Sequence, residues 1–207
     1  MIVSALEAHL RELLTDIDAD EYTSELIRDA LYSAEMVIHS YRPDATAETF
    51  GFTCAEGSRQ LLPLGYSQLL AVIRNTGGLS VSLVDEKNLN TLTPDWQQRT
   101  PQPTTDEYTF DVREKSVFYV NPPVIDGALL EVFASKKPLP YSGDDPETVV
   151  DDTYRQPLIE FAMFVLLSPE REGSPNFSRA SRHLQTFASL LGVDWQAINT
   201  QSPKAAE

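Results

Sequence analysis

The sequence predicts an α+β protein in which helices from both ends of the chain form one bundle, with an antiparallel β-sandwich or small barrel inserted between them. Three observations predict it. Apolar residues recur at helical spacing over roughly the first forty residues and again from Tyr154 to Leu191. Between these stretches, short alternating apolar runs are separated by turn chemistry. The 207 residues, 42% of them hydrophobic and including nine Phe and eight Tyr, are enough chain to bury such a core and exclude disorder over most of it.

Residues 1–47 read as an N-terminal helical hairpin. Ser4 followed by Glu7 has capping-box spacing. Val3, Leu6, Leu10, Leu13, Leu14 and Ile17 then repeat on one face, and residues 16–21 make an acidic turn. A second stripe carries Leu26, Ile27, Ala30, Leu31, Ala34, Val37, Ile38 and Tyr41. It ends at Arg42, because Pro43 disfavours helical geometry in the residue before it. Such a hairpin leaves its stripe bare until a later part of the chain covers it.

Residues 48–138 read as a β-rich insert. Candidate strands lie at 50–54, 69–74, 81–84, 108–112, 117–121 and 129–133, where apolar residues alternate or cluster. Glu56-Gly57, 63–65, 75–78, Pro122-Pro123 and Asp126-Gly127 supply the turns. The polar stretch 88–106 holds Trp96 among Pro94, Pro101 and Pro103. It is too long for a hairpin, as functional or mobile loops are.

Residues 139–195 return to helix after a Pro- and Asp-rich connection. Tyr154, Leu158, Phe161, Ala162 and Val165 fill one side of a helix, and Ile159, Phe164 and Leu166 the other, which places it at the centre of the bundle. Pro157 is tolerable only in a first turn, so this helix starts near 152–156. Ser174-Pro175 signals another start, with Phe177, Ala180, Leu184, Phe187, Ala188 and Leu191 as its stripe and Gly192 as its stop. Residues 196–207 read as a flexible tail.

Charge and cysteine content narrow the function. Asp and Glu number 31 against 16 Lys and Arg, a formal charge of −15, so a broad basic face for nucleic acid is excluded. Residues 1–47 hold ten acids against three bases, residues 48–138 eleven against eight, and residues 139–207 ten against five. The lone Cys54 excludes an intramolecular disulfide framework and suits a reducing compartment. The start has no basic region with an apolar stretch behind it, and the longest apolar run, 161–167, is far short of the roughly 18 residues a membrane helix needs. The expectation is a soluble chain made in the cytoplasm, with no membrane partner.

No residue stands out as catalytic, metal-ligating or cofactor-binding. His9, His39 and His183 have no zinc-ligand neighbours at the required spacing. Ser67 in Gly65-Tyr66-Ser67-Gln68 lacks the second glycine of a nucleophile elbow. Cys54 alternates with Phe50 and Phe52 and reads as a buried small hydrophobe. Gly77-Gly78 has no Gly-Lys-Ser/Thr downstream. Asp85-Glu86, Asp144-Asp145 and Asp151-Asp152 lack the alternating pattern of a calcium loop and read as solvated loop charge.

A run of local words nevertheless forms a recognisable order. Gln60-Leu61-Leu62-Pro63 leads through Gly65 to Leu70-Ala71-Val72-Ile73-Arg74-Asn75. Pro94-Asp95-Trp96 and Tyr108-Thr109-Phe110-Asp111 follow, then Phe118-Tyr119-Val120-Asn121-Pro122-Pro123 and Leu130-Glu131-Val132-Phe133. Tyr154 with its helix, and the 187–192 segment, complete it. In this order the chain resembles the head-to-tail adaptor (connector) proteins of tailed bacteriophages, particularly the short-tailed type, from about Leu26 to Gly192. The resemblance implies a structural virion protein, not an enzyme, without cofactor or metal. It implies self-association into a ring, typically of twelve, joining the portal protein to tail (nozzle or fiber) proteins. DNA then passes as transiting cargo, and an acidic lumen lets phosphates slide rather than stick.

Two places are expected to dock partners. Trp96 is either an interface anchor, since tryptophan is enriched at hot spots, or a cover folded back over the β module. Trp195, Ile198 and Lys204 lie in or beside a segment with no evident core to join, which either orders on a partner or frays, with Trp195 covering the last helix. Two other classes stay open. One is a carbohydrate- or protein-binding β module with Trp96, Tyr108 and Tyr119 along a groove; the other is a hydrolase with dispersed carboxylates.

Overall fold

A computed structural model describes residues 1–143, 146–169 and 175–192. The fold is α+β, and the chain divides into two compact units, Met1–Ala45 with Pro138–Glu207, and Thr46–Lys137.

The helical unit contains α1 (Val3–Leu14), α2 (Ser24–Tyr41), a long helix Arg155–Leu167 and a final helix Pro175–Leu191. Its apolar cluster draws Leu6 and Leu10 from α1 and Ile27, Leu31 and Ile38 from α2, together with Leu158, Phe161 and Ala162 of the third helix and Phe187 of the last. The ring of Phe161 meets that of Phe187 at 4.9 Å between centroids. Pro157 does sit in the first turn of its helix, and eight of that helix's 13 residues are buried, as a stripe without a polar side requires. Gly192, at φ +66°, takes the left-handed position that ends the last helix, while the expected cap Ser174 falls outside the described residues.

The start of α1 departs from the capping-box expectation. The position before the helix is Ile2, and no side chain caps it. The Val3 N–H instead donates to the Pro146 carbonyl at 2.9 Å, and Ile2 bridges Glu147 in antiparallel fashion. A backbone partner far along the chain thus replaces the local cap, and Glu7 turns to Arg11 and Arg28. Ile17 also leaves its expected stripe. The helix stops at Leu14 with Thr15 at φ +58°, and Ile17 is exposed. The acidic turn has a centre, Asp16, whose carboxylate accepts the backbone N–H groups of Asp20, Glu21 and Tyr22 at 2.9–3.1 Å.

The β unit holds β1 (Ala47–Thr53), β2 (Gly57–Leu61), β3 (Tyr66–Asn75), β4 (Ser82–Leu83), α3 (Glu86–Leu92), β5 (Glu107–Thr109), β6 (Val117–Val124) and β7 (Leu129–Lys136). The two helices after it are α4 (Arg155–Leu167) and α5 (Pro175–Leu191). Three strands form a sheet in the order β1-β7-β3, and four form another in the order β2-β6-β5-β4. Every pairing between these strands is antiparallel except β4 with β5. One apolar cluster takes Phe52, Val72 and Val132 from the first sheet and Phe118, Val120 and Tyr108 from the second.

Three features of this unit differ from the sequence expectation. β2 has polar residues at most positions, yet Ser58 and Gln60 are buried and hydrogen-bonded. α3 lies inside the stretch expected to be loop, started by the Asp85 side chain accepting the Lys87 N–H. β6 runs through Pro122-Pro123, where the sequence predicts a turn. There the Pro123 carbonyl accepts the Gln102 N–H, so the neighbouring segment supplies the donor and asks none of the prolines.

Candidate partner interface

The Trp96 segment is a fixed structure built on the second sheet. Leu89 of α3 is buried and Leu92 is exposed. Trp96 sits in a single 3-10 turn and is 1% exposed. Its Nε1–H donates to Asn90 Oδ1 at 2.9 Å, and its ring meets Tyr119 edge-on at 6.3 Å. Gln102 pairs through its backbone with Pro123 and Ile125. Thr105 is gripped by the Asn75 amide, which accepts its N–H at 3.0 Å and donates to its carbonyl at 2.7 Å. The side chain of Trp96 therefore faces inward, because only there does the indole find both an apolar bed and an acceptor. It holds the loop down and does not itself lie on the surface. Tyr108 is buried as well, and Tyr119 is half-buried, so of the three rings expected along a groove two are covered.

Between the residues that lead into α3 and those that follow β5 lies an open cleft of about 710 Å³. Leu83, Val84, Phe110 and Val112 form its apolar lining, with Asp85, Glu86, Lys87 and Asp111 around them. Leu83 and Val112 are exposed, 60% and 72%. Asp111 is occupied by a forked pair with Arg113, whose hydrogen bonds hold its carboxyl down at about 2. The expected strand 108–112 ends early at Thr109, and this Asp111–Arg113 turn is where it leaves the sheet.

Glu35 of α2 is a carboxylate fully shielded from solvent inside the helical unit. Its Oε1 accepts the backbone N–H groups of Val149 and Val150 at 2.7 and 3.1 Å. Its Oε2 and the Tyr141 hydroxyl are both buried without a hydrogen bond of good geometry. Burial raises the Glu35 carboxyl above the ordinary carboxylate range, against the pull of those N–H groups. Burial and the Glu35 charge together push the Tyr141 hydroxyl well up. Glu35 thereby fastens the segment that leads into α4. Its place, four residues after Leu31 and three before Ile38, is the signal in the sequence that it belongs to the buried stripe.

Residues weighed for chemistry have structural roles. The Cys54 thiol is 1% exposed and pushed up to about 12 by burial. Ser67 Oγ donates to the Ser135 carbonyl. Asp151 caps a 3-10 turn by accepting the Thr153 N–H. His183 pairs with Glu160 at 2.7 Å. Among the described residues no three His, Cys, Asp or Glu side chains gather as a metal site, and no helix is long and apolar enough to cross a membrane. Asp144-Asp145, Trp195, Ile198 and Lys204 lie outside the described residues.

No curated protein matches the chain. The family model for the SU10 adaptor protein matches residues 1–206. That is a family of phage structural proteins and not a known enzyme family. The match covers the helical ends and the β insert alike, in agreement with the words that point to a head-to-tail adaptor, and the chain belongs to the SU10 adaptor protein family.

Proposed function

We propose that this chain is a head-to-tail adaptor of the virion, assembled in the host cytoplasm as a ring, of twelve copies by family resemblance, between the portal protein and tail proteins. The observation that carries this reading is the family match over essentially the whole chain. Charge distribution supports it. The helical ends carry most of the −15, and the β insert is close to balanced. Helical ends that line a channel repel DNA phosphates within roughly 8–10 Å at physiological salt, so the genome passes without sticking. The open cleft at Leu83 and Val112 supplies the apolar surface a neighbour needs, and Trp96 acts through the loop it anchors. Trp195, Ile198 and Lys204 are the proposed second docking element.

Mixing the purified chain with portal rings tests the reading, with mass in solution and electron micrographs as readouts. A ring stacked coaxially on the portal is the expected result. A chain that stays monomeric beside the portal, or binds glycans instead, overturns it. The portal must be present in the mixture, because assembly on a template is compatible with a free chain that is monomeric.

A further inference from the structure

The four edge strands of the two sheets are not alike. β3 carries three register shifts against β7, and its outer side is already engaged: Val81 N–H donates to Ile73 O at 3.2 Å, and Leu69 N–H to Lys115 O at 2.9 Å. β4 has only two residues. β2 is shifted at Gly57/Arg59, and its Gln60 amide folds back onto Ala55. β1 differs from all three. It pairs with β7 over seven consecutive positions without a shift, and it holds no Pro or Lys. Natural proteins blunt exposed edges with the devices that β1 lacks, since a regular bare edge is a template for another strand.

The direction of its free groups can be read from the ladder. Cys54 exchanges both backbone bonds with the 127–128 turn, so its backbone faces β7. With a period of two, Phe52 and Phe50 face β7 as well, and Thr53, Gly51 and Thr49 turn their N–H and C=O outward. The opposite residue agrees: the Leu129 carbonyl, across from Thr53, accepts the Thr76 N–H on the β3 side. Thr49, Gly51 and Thr53 are exposed.

Charge narrows the occupant. The only charged side chain of β1 is Glu48, and it is already met by Lys136 at 3.6 Å and by the Tyr66 hydroxyl at 2.5 Å. Copies of a −15 chain repel at their acidic helical ends but meet here without net repulsion. A basic partner would gain more at those ends than at this neutral edge. We propose that the outer edge of β1 receives a strand from a second copy of this chain, continuing the three-stranded sheet across the boundary between neighbours. This rests on the ring reading above. Because a ring needs unlike surfaces to meet, the segment supplied is one other than β1, whose pairing with itself would close as a dimer.

The test uses the full chain assembled on portal rings. Thr49→Pro removes one outward N–H at a position where an edge strand tolerates proline, and Thr53→Lys places a gatekeeping charge on the edge. Each is expected to weaken ring assembly at least tenfold, with the melting temperature of the monomer unchanged. Gly51→Cys supplies a cross-linking handle, since a Cβ there meets nothing within 4 Å and native Cys54 is buried. A maleimide-linked benzophenone on the introduced thiol is expected, on illumination, to couple to a second copy at a segment other than β1. If both edge variants assemble like the wild type, or the label couples to portal alone or to nothing, the edge proposal falls while the ring reading stands. If the wild type forms no ring on portal, both fall. Should Thr49→Pro fail to fold, Thr53→Lys and the cross-link decide.

Discussion

The two units bury polar groups in opposite ways. The β unit buries amides and hydroxyls, Gln60, Asn75, Thr105 and Ser135, whose partners close turns and loops. None of these titrates. The helical unit buries a carboxylate, Glu35, with one oxygen bonded to two backbone N–H groups and the group as a whole close to the Tyr141 hydroxyl. A strand scaffold is thus locked by neutral hydrogen bonds, and a helical one is fastened by a group whose strength depends on its proton. The bonds of these four β-unit side chains are therefore indifferent to pH across the carboxylate range, and those of Glu35 are not.

The largest expected effect is on packing alone. Phe187→Ala empties a fully buried site against Phe161 and is expected to cost about 3–5 kcal/mol. Helical circular dichroism followed through a denaturant titration measures it. A cost below about 1 kcal/mol, the size of an ordinary surface change, would mean that α5 does not pack as described.

Next, Asn75→Ala strips Thr105 of both backbone partners and is expected to cost about 1–3 kcal/mol. Hydrogen exchange at the Thr105 amide, rising by orders of magnitude over wild type, is the sharper readout. The loss should be the same under mildly acidic and mildly basic conditions, because neither group titrates there. A pH-dependent loss breaks the contrast drawn between the units.

Glu35→Gln tests the other half. Folding raises this carboxyl, so the folded chain holds the proton more tightly than the unfolded chain does. Its contribution to stability is whole below the ordinary carboxylate range and is lost as pH rises through the raised value of Glu35. The variant keeps an acceptor for Val149 and Val150, so its stability should lack this falling limb and exceed wild type toward neutral pH. Asp16 runs the other way: the Tyr22 N–H above all, with those of Glu21 and Asp20, lowers it, and its contribution is lost as pH falls. Unfolding measured from the acidic carboxylate range up past neutrality separates the two. Parallel profiles for wild type and Glu35→Gln would sink the proposed role of Glu35.

The smallest effect belongs to Arg113→Ala. The Arg113–Asp111 pair is on the surface, so the melting temperature should not move measurably. The carboxyl of Asp111 should climb from about 2 toward its ordinary range, which a carbon-detected NMR titration follows.

Much of the helical unit is legible because a helix writes its burial into adjacent positions of one segment. Most of the stripes of α1, α2, α4 and α5 and the first-turn place of Pro157 follow from spacing alone, although Leu13, Leu26 and Phe177, expected in those stripes, are exposed. Glu35 escapes such a reading because its charge hides a core position, although its spacing from Leu31 and Ile38 is visible. The β unit is harder. β2 escapes because its burial is satisfied by hydrogen bonds to residues in other segments, which no local pattern records.

By itself the sequence determined the α+β class, the helical stripes, the separation of charge between helical ends and β insert, and the words that carry the family resemblance. Periodicity and composition are local, and so they survive in one dimension. Only the tertiary structure decided that β1 lies at a sheet edge and pairs with β7, a strand far along the chain. It also decided that Trp96 turns inward onto Tyr119 and that Glu35 meets Val149 and Val150. Each of these depends on which distant backbone arrives beside a residue, and on the hydrogen-bond donor or acceptor it brings.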